Sequence, residues 1–301
     1  MKILCAHRVD AFSEEEFGGN PAAVVLEAED LSEEEMIKVA KEVSCKETAF
    51  LLPAEHADFR LRFFTQRGDE IKFCGHATVG VLYLIAREQL FGIAGPGSYL
   101  FNVETKADDL CMSVEFHTLD DIRIKFDCPH VDLIEAPFKH TKLADALGIN
   151  VAHFDQSKPI MLERTNNYLY ACVQSLDDLG SIVYNVEAAS EFAKENNFVV
   201  YCLMTNETFN PDNSVHTRCF GPSVGVVEDA FSGSVQGGLV AFMYMYDMIL
   251  EDHETIGSEQ GHFMHRPGHA HIHVERENGH PKIIVDATAR HVMCTTITID
   301  D

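Results

Sequence analysis

The sequence predicts an α+β protein built from two similar halves, in each of which a mostly antiparallel sheet surrounds one central helix. Each half contains one helical segment that is apolar on most of its faces, from His76 to about Arg87 and from about Gly233 to Met248. A helix without a polar face is typically buried inside its domain. The chain has 301 residues, which is also the length of roughly two domains of about 150 residues. An internal duplication is therefore expected.

The first half is expected to open with strands and one well-marked helix. Strands are predicted at residues 1–9, 22–27, 47–52 and 58–64. Between the second and third of these, Ser32 and Glu35 have the spacing of a capping box, and Leu31 and Met36 have that of a hydrophobic staple. A helix is therefore expected to begin directly after Ser32.

After residue 95 the pattern is mainly that of strands. They are predicted at residues 98–103, 110–116, 122–127, 167–174, 198–204, 270–275, 282–286 and 291–299, with helices near 141–147 and 186–195. The apolar helix of this half again follows a turn that contains glycine. The second half thus repeats the first in outline.

The charge of the chain argues against two classes of partner. Asp and Glu number 48 against 23 Lys and Arg, which gives a formal charge of −25. Such an excess repels phosphate backbones and anionic lipid headgroups. We expect neither nucleic acid nor a membrane surface as a partner.

The cysteines and the hydropathy favour a cytoplasmic protein. The nine cysteines are scattered and include no Cys-x-x-Cys pair, which predicts reduced thiols. The N-terminus lacks the long apolar region of a signal peptide. The apolar run at 237–250 is too short to span a bilayer and contains Asp247, so a buried helix is expected there.

The first central helix begins in FCGHATVG, which places Cys74, Gly75 and His76 at its N-terminus. A helix N-terminus has unpaired N–H groups and a partial positive charge, which suit a substrate carboxylate. A small carboxylate-bearing molecule is the expected ligand.

The second central helix begins in EDAFSGSVQGG, with Asp229, Ser232, Gly233 and Ser234 at its start. If the two helices point at one another, both N-termini serve a single pocket. Such a pocket would bind an acid and stabilise the enolate-like charge that forms when a proton leaves the neighbouring carbon.

Each of these residues also has an ordinary structural explanation. Ser232 or Asp229 serves equally well as a helix cap, and His76 as a buried, hydrogen-bonded histidine. Glu47 lies at a strand start, where exposed carboxylates are common, and Cys74 has the character of a small buried apolar residue. Their combination is what favours a functional site.

Seven segments in a fixed order give the chain a specific resemblance. They are VDAF at Val9–Phe12, FGGNPAAVV at Phe17–Val25, ETAF at Glu47–Phe50, FFTQRGDEIKFCGHAT at Phe63–Thr78, RCFGP at Arg218–Pro222, VGVVEDAFSGS at Val224–Ser234 and EQGHFMHRPG at Glu259–Gly268. On these motifs the chain resembles the phenazine-biosynthesis isomerase-like (PhzF-like) family, which is related to diaminopimelate epimerase and proline racemase.

The resemblance implies a fold, a domain division and an assembly. The fold is the diaminopimelate-epimerase-like one, with two pseudo-symmetric halves. Residues 1–118 would form the N-terminal half, with 289–301 returning to it, and residues 119–288 the C-terminal half. The family resemblance also implies a homodimer that acts without a cofactor.

The resemblance further implies residue roles. Glu47 would be the general acid/base, taking a proton from one substrate carbon and returning it to another, as in a dihydro-hydroxyanthranilate isomerase. His76 and Asp229 would complete the catalytic set by holding and polarising the substrate. The predicted substrate-binding residues are Cys74, Gly75, Ser232, Gly233 and Ser234.

One departure limits the reaction. The racemase and epimerase relatives use two facing thiols, and here Cys74 occupies one of those places while Ser232 occupies the other. A serine hydroxyl is far too weak an acid or base for this role, so two-thiol racemisation is not expected. Two alternatives stay open: a one-thiol epimerase that uses Cys74, and a non-catalytic binding or scaffolding protein of the same fold.

A cluster of histidines near the C-terminus suggests a metal site at first sight. Its members are His262, His265, His269, His271 and His273. The last three alternate with Ala270, Ile272 and Val274, which is typical of a strand with one wet and one buried face. No metal is therefore expected in this cluster.

Overall fold

The computed structural model describes residues 1–107, 109–249, 254–277 and 280–299. Leu250 of the predicted apolar run, and residues 300–301 of the predicted returning segment, lie outside the described residues. No helix in the described ranges is long and apolar enough to cross a membrane. The protein has an α+β fold, as predicted.

The described residues form eighteen strands and six α-helices. The strands are β1 Lys2–Ala11, β2 Asn20–Val25, β3 Glu47–Leu52, β4 Phe59–Thr65, β5 Glu70–Ile71, β6 Gly97–Glu104, β7 Leu110–Thr118, β8 Asp121–Asp127, β9 Leu133–Glu135, β10 Met161–Glu163, β11 Tyr168–Cys172, β12 Val200–Thr205, β13 Val215–Gly221, β14 Val226–Asp229, β15 Thr255–Gln260, β16 Gly268–Glu277, β17 His280–Ala287 and β18 Ala289–Ile299. The helices are α1 Glu33–Val43, α2 Gly75–Arg87, α3 His140–Leu147, α4 Leu176–Ser181, α5 Val186–Glu195 and α6 Gln236–Met245.

The chain divides into two compact units with boundaries that differ from the predicted ones. The first unit comprises residues 1–127 and 285–301, and the second comprises residues 128–284. The predicted boundary after residue 118 separates β8 from β7, but these strands form an antiparallel hairpin with Thr118 opposite Asp121. Because the hairpin bonds hold the two strands together, β8 belongs to the first unit.

Helix α1 begins where its sequence predicts. The backbone N–H of Glu35 donates to Ser32 Oγ at 3.3 Å, and the backbone N–H of Ser32 donates to Glu35 Oε2 at 2.7 Å. These two bonds complete the capping box. The helix ends at Val43, and its C-cap residue Ser44 has a left-handed backbone conformation.

The sheet of the first unit runs in the order β18–β1–β2–β3–β4–β6–β7–β8. Only the β2–β3 and β4–β6 pairs are parallel. Residues 77–86 of α2 are all buried, and the helix contacts strands near both ends of the sheet, including β1, β2, β8 and β18. The sheet therefore curls around α2, as the apolar character of this helix predicts.

The second unit repeats this arrangement of strands. Its sheet runs from β9 through β10, β11, β12 and β13 to β15 and β16, and its parallel pairs are β11–β12 and β13–β15. The short strands β5 and β14 occupy equivalent places, each antiparallel to the strand before it. Helix α6 is the counterpart of α2. The shared order of parallel and antiparallel neighbours supports the predicted duplication.

One cysteine pair is oxidised, contrary to the prediction of reduced thiols. Cys5 on β1 forms a disulfide with Cys294 on β18, across 289 residues of sequence. The remaining seven cysteines are free. The prediction is wrong for this pair because cysteine spacing does not reveal that the first and last strands of the unit are neighbours in the sheet.

Candidate active site

Glu47 and His76 form a close ionic pair in the first unit. Glu47 opens β3, His76 lies in the first turn of α2, and their Oε2 and Nε2 atoms are 3.1 Å apart. The side chains are only 18% and 12% exposed, respectively. The interaction is therefore weakly screened by water, and the carboxylate has a fixed neighbour.

Cys74 lies beside the same imidazole. It is the N-cap residue of α2, and its Sγ atom is 3.5 Å from His76 Nδ1 and 3.7 Å from Nε2. The thiol is nearly buried, and no side chain caps this end of the helix. The first-turn N–H groups, which begin at Gly75, have no acceptor within the helix and suit an anion.

The surroundings of His76 favour its charged form. Burial alone would lower the pKa of His76, but its contacts with Cys74 and with Glu47 outweigh that effect and raise its pKa well above the usual value of 6.5. His76 is therefore an imidazolium near neutral pH. Glu47 therefore faces a cation at 3.1 Å.

Asn20 is a neighbour of His76 that sequence reasoning missed. Its Nδ2 atom is 3.4 Å from His76 Nδ1, and the residue is fully buried. The preceding Gly19 has φ +49°, and a Cβ atom there would lie 2.1 Å from the carbonyl oxygen of Ala11. Only glycine fits this turn. The Gly-Gly-Asn sequence was the available signal for a positioned side chain.

In the second unit, Asp229 and Ser232 are joined before the central helix. Ser232 Oγ donates to Asp229 Oδ2 at 2.6 Å. The fully buried Gln260 connects them again, since its Nε2 donates to the carbonyl of Asp229 at 2.8 Å and its Oε1 accepts from the backbone N–H of Ser232 at 3.3 Å. Gln260 lies in a quoted motif, but sequence reasoning gave it no role.

The start of the second central helix differs from its prediction. Gly233–Val235 form a 3-10 turn, and α6 runs only over Gln236–Met245 instead of 233–248. Ser234 is exposed on this turn and accepts a hydrogen bond from Tyr168 Oη at 3.0 Å. Burial raises the pKa of Tyr168, so the phenol keeps its proton as a donor. Tyr168 was also missed.

The predicted site residues thus fall into two local groups. Glu47, Cys74, Gly75 and His76 come together in the first unit, within reach of one imidazole. Asp229, Ser232, Gly233 and Ser234 lie along one turn of the second.

The histidine-rich strand is two-faced as predicted at residues 269–273, but Val274, expected on the buried face, is partly exposed. On β16, Ala270 and Ile272 are fully buried, whereas His269, His271 and His273 are half-buried on the other face. Within the described ranges, three groups of side chains have possible metal-ligand atoms within 4.8 Å of one another, and none contains these three histidines or His265. The alternation of histidines with apolar residues on β16 reflects one buried and one partly exposed face of the strand.

His262 belongs to one of those groups, together with His216 and Glu259. The carboxylate of Glu259 already accepts hydrogen bonds from the backbone N–H groups of Phe209 and Asn210, from the Asn213 amide and from His216 Nδ1. Burial opposes ionisation of Glu259, but these donors lower its pKa to about 2. Three of these donors belong to residues 209–213, so the carboxylate of Glu259 holds this loop in place.

Comparison with known proteins identifies a family over nearly the whole chain. Residues 9–295 match the family described as phenazine biosynthesis-like protein. The chain is 32% identical to the uncharacterized isomerase YfhB of Bacillus subtilis, covering 96% of this chain and 97% of that protein. It is 26% identical to the trans-2,3-dihydro-3-hydroxyanthranilate isomerase of Pseudomonas fluorescens, covering 80% of each.

Solved structures show the same likeness. A PhzF-family phenazine biosynthesis protein of Bacillus anthracis matches with a TM-score of 0.89 at 29% identity, over 99% of this chain and all of that one. A hydroxyproline epimerase of Agrobacterium vitis matches with a TM-score of 0.61 at 11% identity, over 99% of this chain and 91% of that one. The second match shows that this chain shares its fold with a hydroxyproline epimerase.

Proposed function

This chain belongs to the phenazine biosynthesis-like protein family, and we propose that, as an isomerase of that family, it moves a proton within a small carboxylate substrate with Glu47 as general acid and base. The observation that carries the proposal is the 3.1 Å pair of Glu47 and His76, nearly buried at the start of α2.

Glu47 performs both proton transfers. As a carboxylate it removes a proton from one substrate carbon, and as the resulting acid it delivers that proton to another carbon. The imidazolium of His76 lies 3.1 Å from Glu47 Oε2 and holds the carboxylate in place for the first transfer. The uncapped N–H groups of the first turn of α2 stabilise the negative charge that forms between the two transfers.

The remaining roles follow the family resemblance. Asp229 polarises the substrate, and Ser234 with the amide of Gly233 binds its carboxylate. The enzyme works as a cytoplasmic homodimer and needs no cofactor. The compound in the name of the Pseudomonas fluorescens relative, trans-2,3-dihydro-3-hydroxyanthranilate, is the first substrate to test, followed by a panel of small carboxylic acids.

Replacement of Glu47 tests the proposal. In Glu47→Gln the amide keeps the shape of the side chain but cannot carry the proton, so turnover should fall by about 10²–10⁴-fold. Product formation and uptake of solvent deuterium, both measured by NMR, give the rate. Glu42→Gln, on the exposed surface of α1, is the matched control and should retain full activity. Undiminished turnover in a folded Glu47→Gln protein would refute the role of Glu47.

A second candidate, the one-thiol epimerase, is favoured by the position of Cys74. Its sulfur lies 3.5 Å from His76 Nδ1, close enough for a thiolate and an imidazolium to form an ion pair. If Cys74 is the base, deuterium exchange persists in Glu47→Gln and disappears in Cys74→Ser. The proposed isomerase gives the opposite pattern.

A further inference from the structure

Four side chains that commonly bind metal ions lie together where the first and last strands of the first unit pair. Cys5 and His7 are on β1, and His291 and Cys294 are on β18. The ligand atoms of Cys5, His7 and Cys294 all lie within 4.8 Å of one another. His7 Nδ1 is 3.1 Å from His291 Nε2. The cluster contains no residue of the candidate active site.

A β-bulge brings the fourth side chain onto the shared face. His7 lies opposite Cys294, and after a register shift between Arg8 and Val9, Val9 lies opposite His291. His7 and Val9 are two residues apart on β1 and therefore share a face. Their partners on β18, Cys294 and His291, lie on that same face although they are three residues apart, because the bulge adds one residue between them. In a regular strand, residues three apart such as His291 and Cys294 would point to opposite faces.

The face that carries the cluster is accessible. Leu4 and Ala6 are buried on one side of β1, whereas Cys5 and His7 are partly exposed on the other. His291 is also partly exposed, and Cys294 is exposed. Each of the four side chains is therefore accessible from solvent without unfolding of the unit.

We propose that Cys5, His7, His291 and Cys294 form a tetrahedral site for one divalent zinc ion, which is occupied when the disulfide between the two cysteines is reduced. Two sulfur and two nitrogen donors are a ligand set typical of structural zinc. The two ring nitrogens face each other at 3.1 Å and cannot both carry protons, so at least one histidine already offers a lone pair.

The disulfide and the metal are two alternative ways to join the same strands. A dithiol reductant transfers two electrons and two protons to the Cys5–Cys294 bond, becomes a disulfide itself, and leaves two thiols. On binding Zn²⁺ the thiols release their protons to solvent, and two thiolates with two neutral imidazoles neutralise the ion. Either state links β1 to β18.

Cobalt titration of the reduced protein tests the proposal. The full chain, reduced with a phosphine and freed of metal by a chelator, should bind one Co²⁺ with thiolate-to-cobalt charge-transfer absorption and the visible bands of a tetrahedral site. Zn²⁺ should displace it. The oxidised protein should show neither signal, because its sulfurs are bonded to each other.

Variants assign the site. Cys5→Ser combined with Cys294→Ser should abolish the charge-transfer absorption, and His291→Ala, which leaves both sulfurs in place, should weaken cobalt binding at least about 10-fold. Cys111→Ser and His117→Ala, on exposed positions of β7, are the matched controls and should not change the spectrum. Circular dichroism confirms that each variant is folded.

Three results would overturn the proposal. They are a reduced wild-type protein without charge-transfer absorption, a spectrum that survives in the double serine variant, and a spectrum that Cys74→Ser removes. The last would place the ion at the other cysteine-histidine cluster, that of Glu47, Cys74 and His76.

Discussion

The two central helices start in different chemical environments although the strands around them repeat. In the first unit, Cys74 is the N-cap residue of α2, and His76 two residues later lies 3.1 Å from Glu47. In the second, Ser232 takes the place of Cys74, and Ser234 takes that of His76. The strand equivalent to β3 is β12, which opens with an apolar valine instead of a glutamate.

This difference indicates how a duplicated fold can divide its chemistry. Both starts retain a glycine and the free N–H groups of a helical turn, which is the part that suits an anion. At the start of α2, a carboxylate is paired with an imidazole. At the start of the second central helix, the carboxylate of Asp229 instead accepts a hydrogen bond from the hydroxyl of Ser232. Under the proposed function, proton transfer belongs to the first unit and substrate binding to the second.

Matched substitutions at the two equivalent positions should separate these roles most strongly. His76→Asn removes the cation beside Glu47 and should lower kcat by about 10²-fold or more, because the base loses the charged partner that holds it in place. Ser234→Ala should mainly raise KM, with kcat within about 10-fold of wild type. Steady-state kinetics on the substrate found for the wild type measure both. Equal losses of kcat would contradict the division.

The second unit buries a carboxylate that several donors hold, and acid should reveal its contribution to stability. Glu259 in the second unit is 1% exposed, and its pKa falls from 4.5 to about 2 on folding. A lowered folded pKa contributes stability above the unfolded value, and this contribution is lost as pH falls from about 4.5 towards 2. Glu259→Gln should therefore lower the free energy of unfolding by on the order of 2–3 kcal/mol at pH 7.

Urea unfolding at a series of pH values checks this. The gap between wild type and Glu259→Gln should narrow steadily below pH 4.5, since the wild type loses its advantage there. Glu191→Gln, on the exposed face of α5, should be within about 0.5 kcal/mol of wild type at every pH. A gap that is independent of pH would show that the carboxylate charge is not responsible.

Much of the fold could be predicted because its pattern is local. The capping box fixes the start of α1, the apolar periodicity identifies α2, and α5 was predicted with both of its ends. Local patterns need no knowledge of neighbouring strands. Local apolar patterns predicted both central helices, α2 and α6, because they do not depend on the neighbouring strands.

Strand β13 of the second unit was missed for a physical reason, whereas strands β11 and β12 were predicted. All seven residues of β13, Val215–Gly221, are buried, and they include His216, Thr217 and Arg218. Buried polar residues erase the alternation that marks a strand, and they are tolerated only because distant partners such as Glu259 satisfy them. Those partners are invisible in the sequence.

In the candidate site, too, local motifs could be predicted and long-range contacts could not. Motif order predicted the residues around His76, but not the hydrogen bonds that Gln260 makes to Asp229 and Ser232. The Cys5–Cys294 bond was missed because it depends on which strands are neighbours. Long-range pairing is information that one sequence does not carry.

The smallest expected difference concerns how tightly each central helix packs. Gly80 in α2 and Gly238 in α6 each lie six residues after the residue that caps the helical start. A Cβ atom at Gly80 would lie 3.4 Å from Val9, an ordinary contact, whereas one at Gly238 would lie 2.4 Å from Tyr170 Oη. Tyr170 is fully buried and its hydroxyl donates to the carbonyl of Val235 at 2.9 Å, so the ring has no room to move away.

Alanine at the two positions should therefore have different effects. Gly238→Ala should destabilise the protein by about 1–3 kcal/mol, the usual cost of overpacking. Gly80→Ala should stay within about 1 kcal/mol of wild type, because the better helix propensity of alanine offsets a small adjustment of the contact. Urea unfolding of both variants gives the comparison. Equal changes would mean that α6 does not lie as close to β11 as the Tyr170 contact indicates, and that the two copies of the helix pack alike.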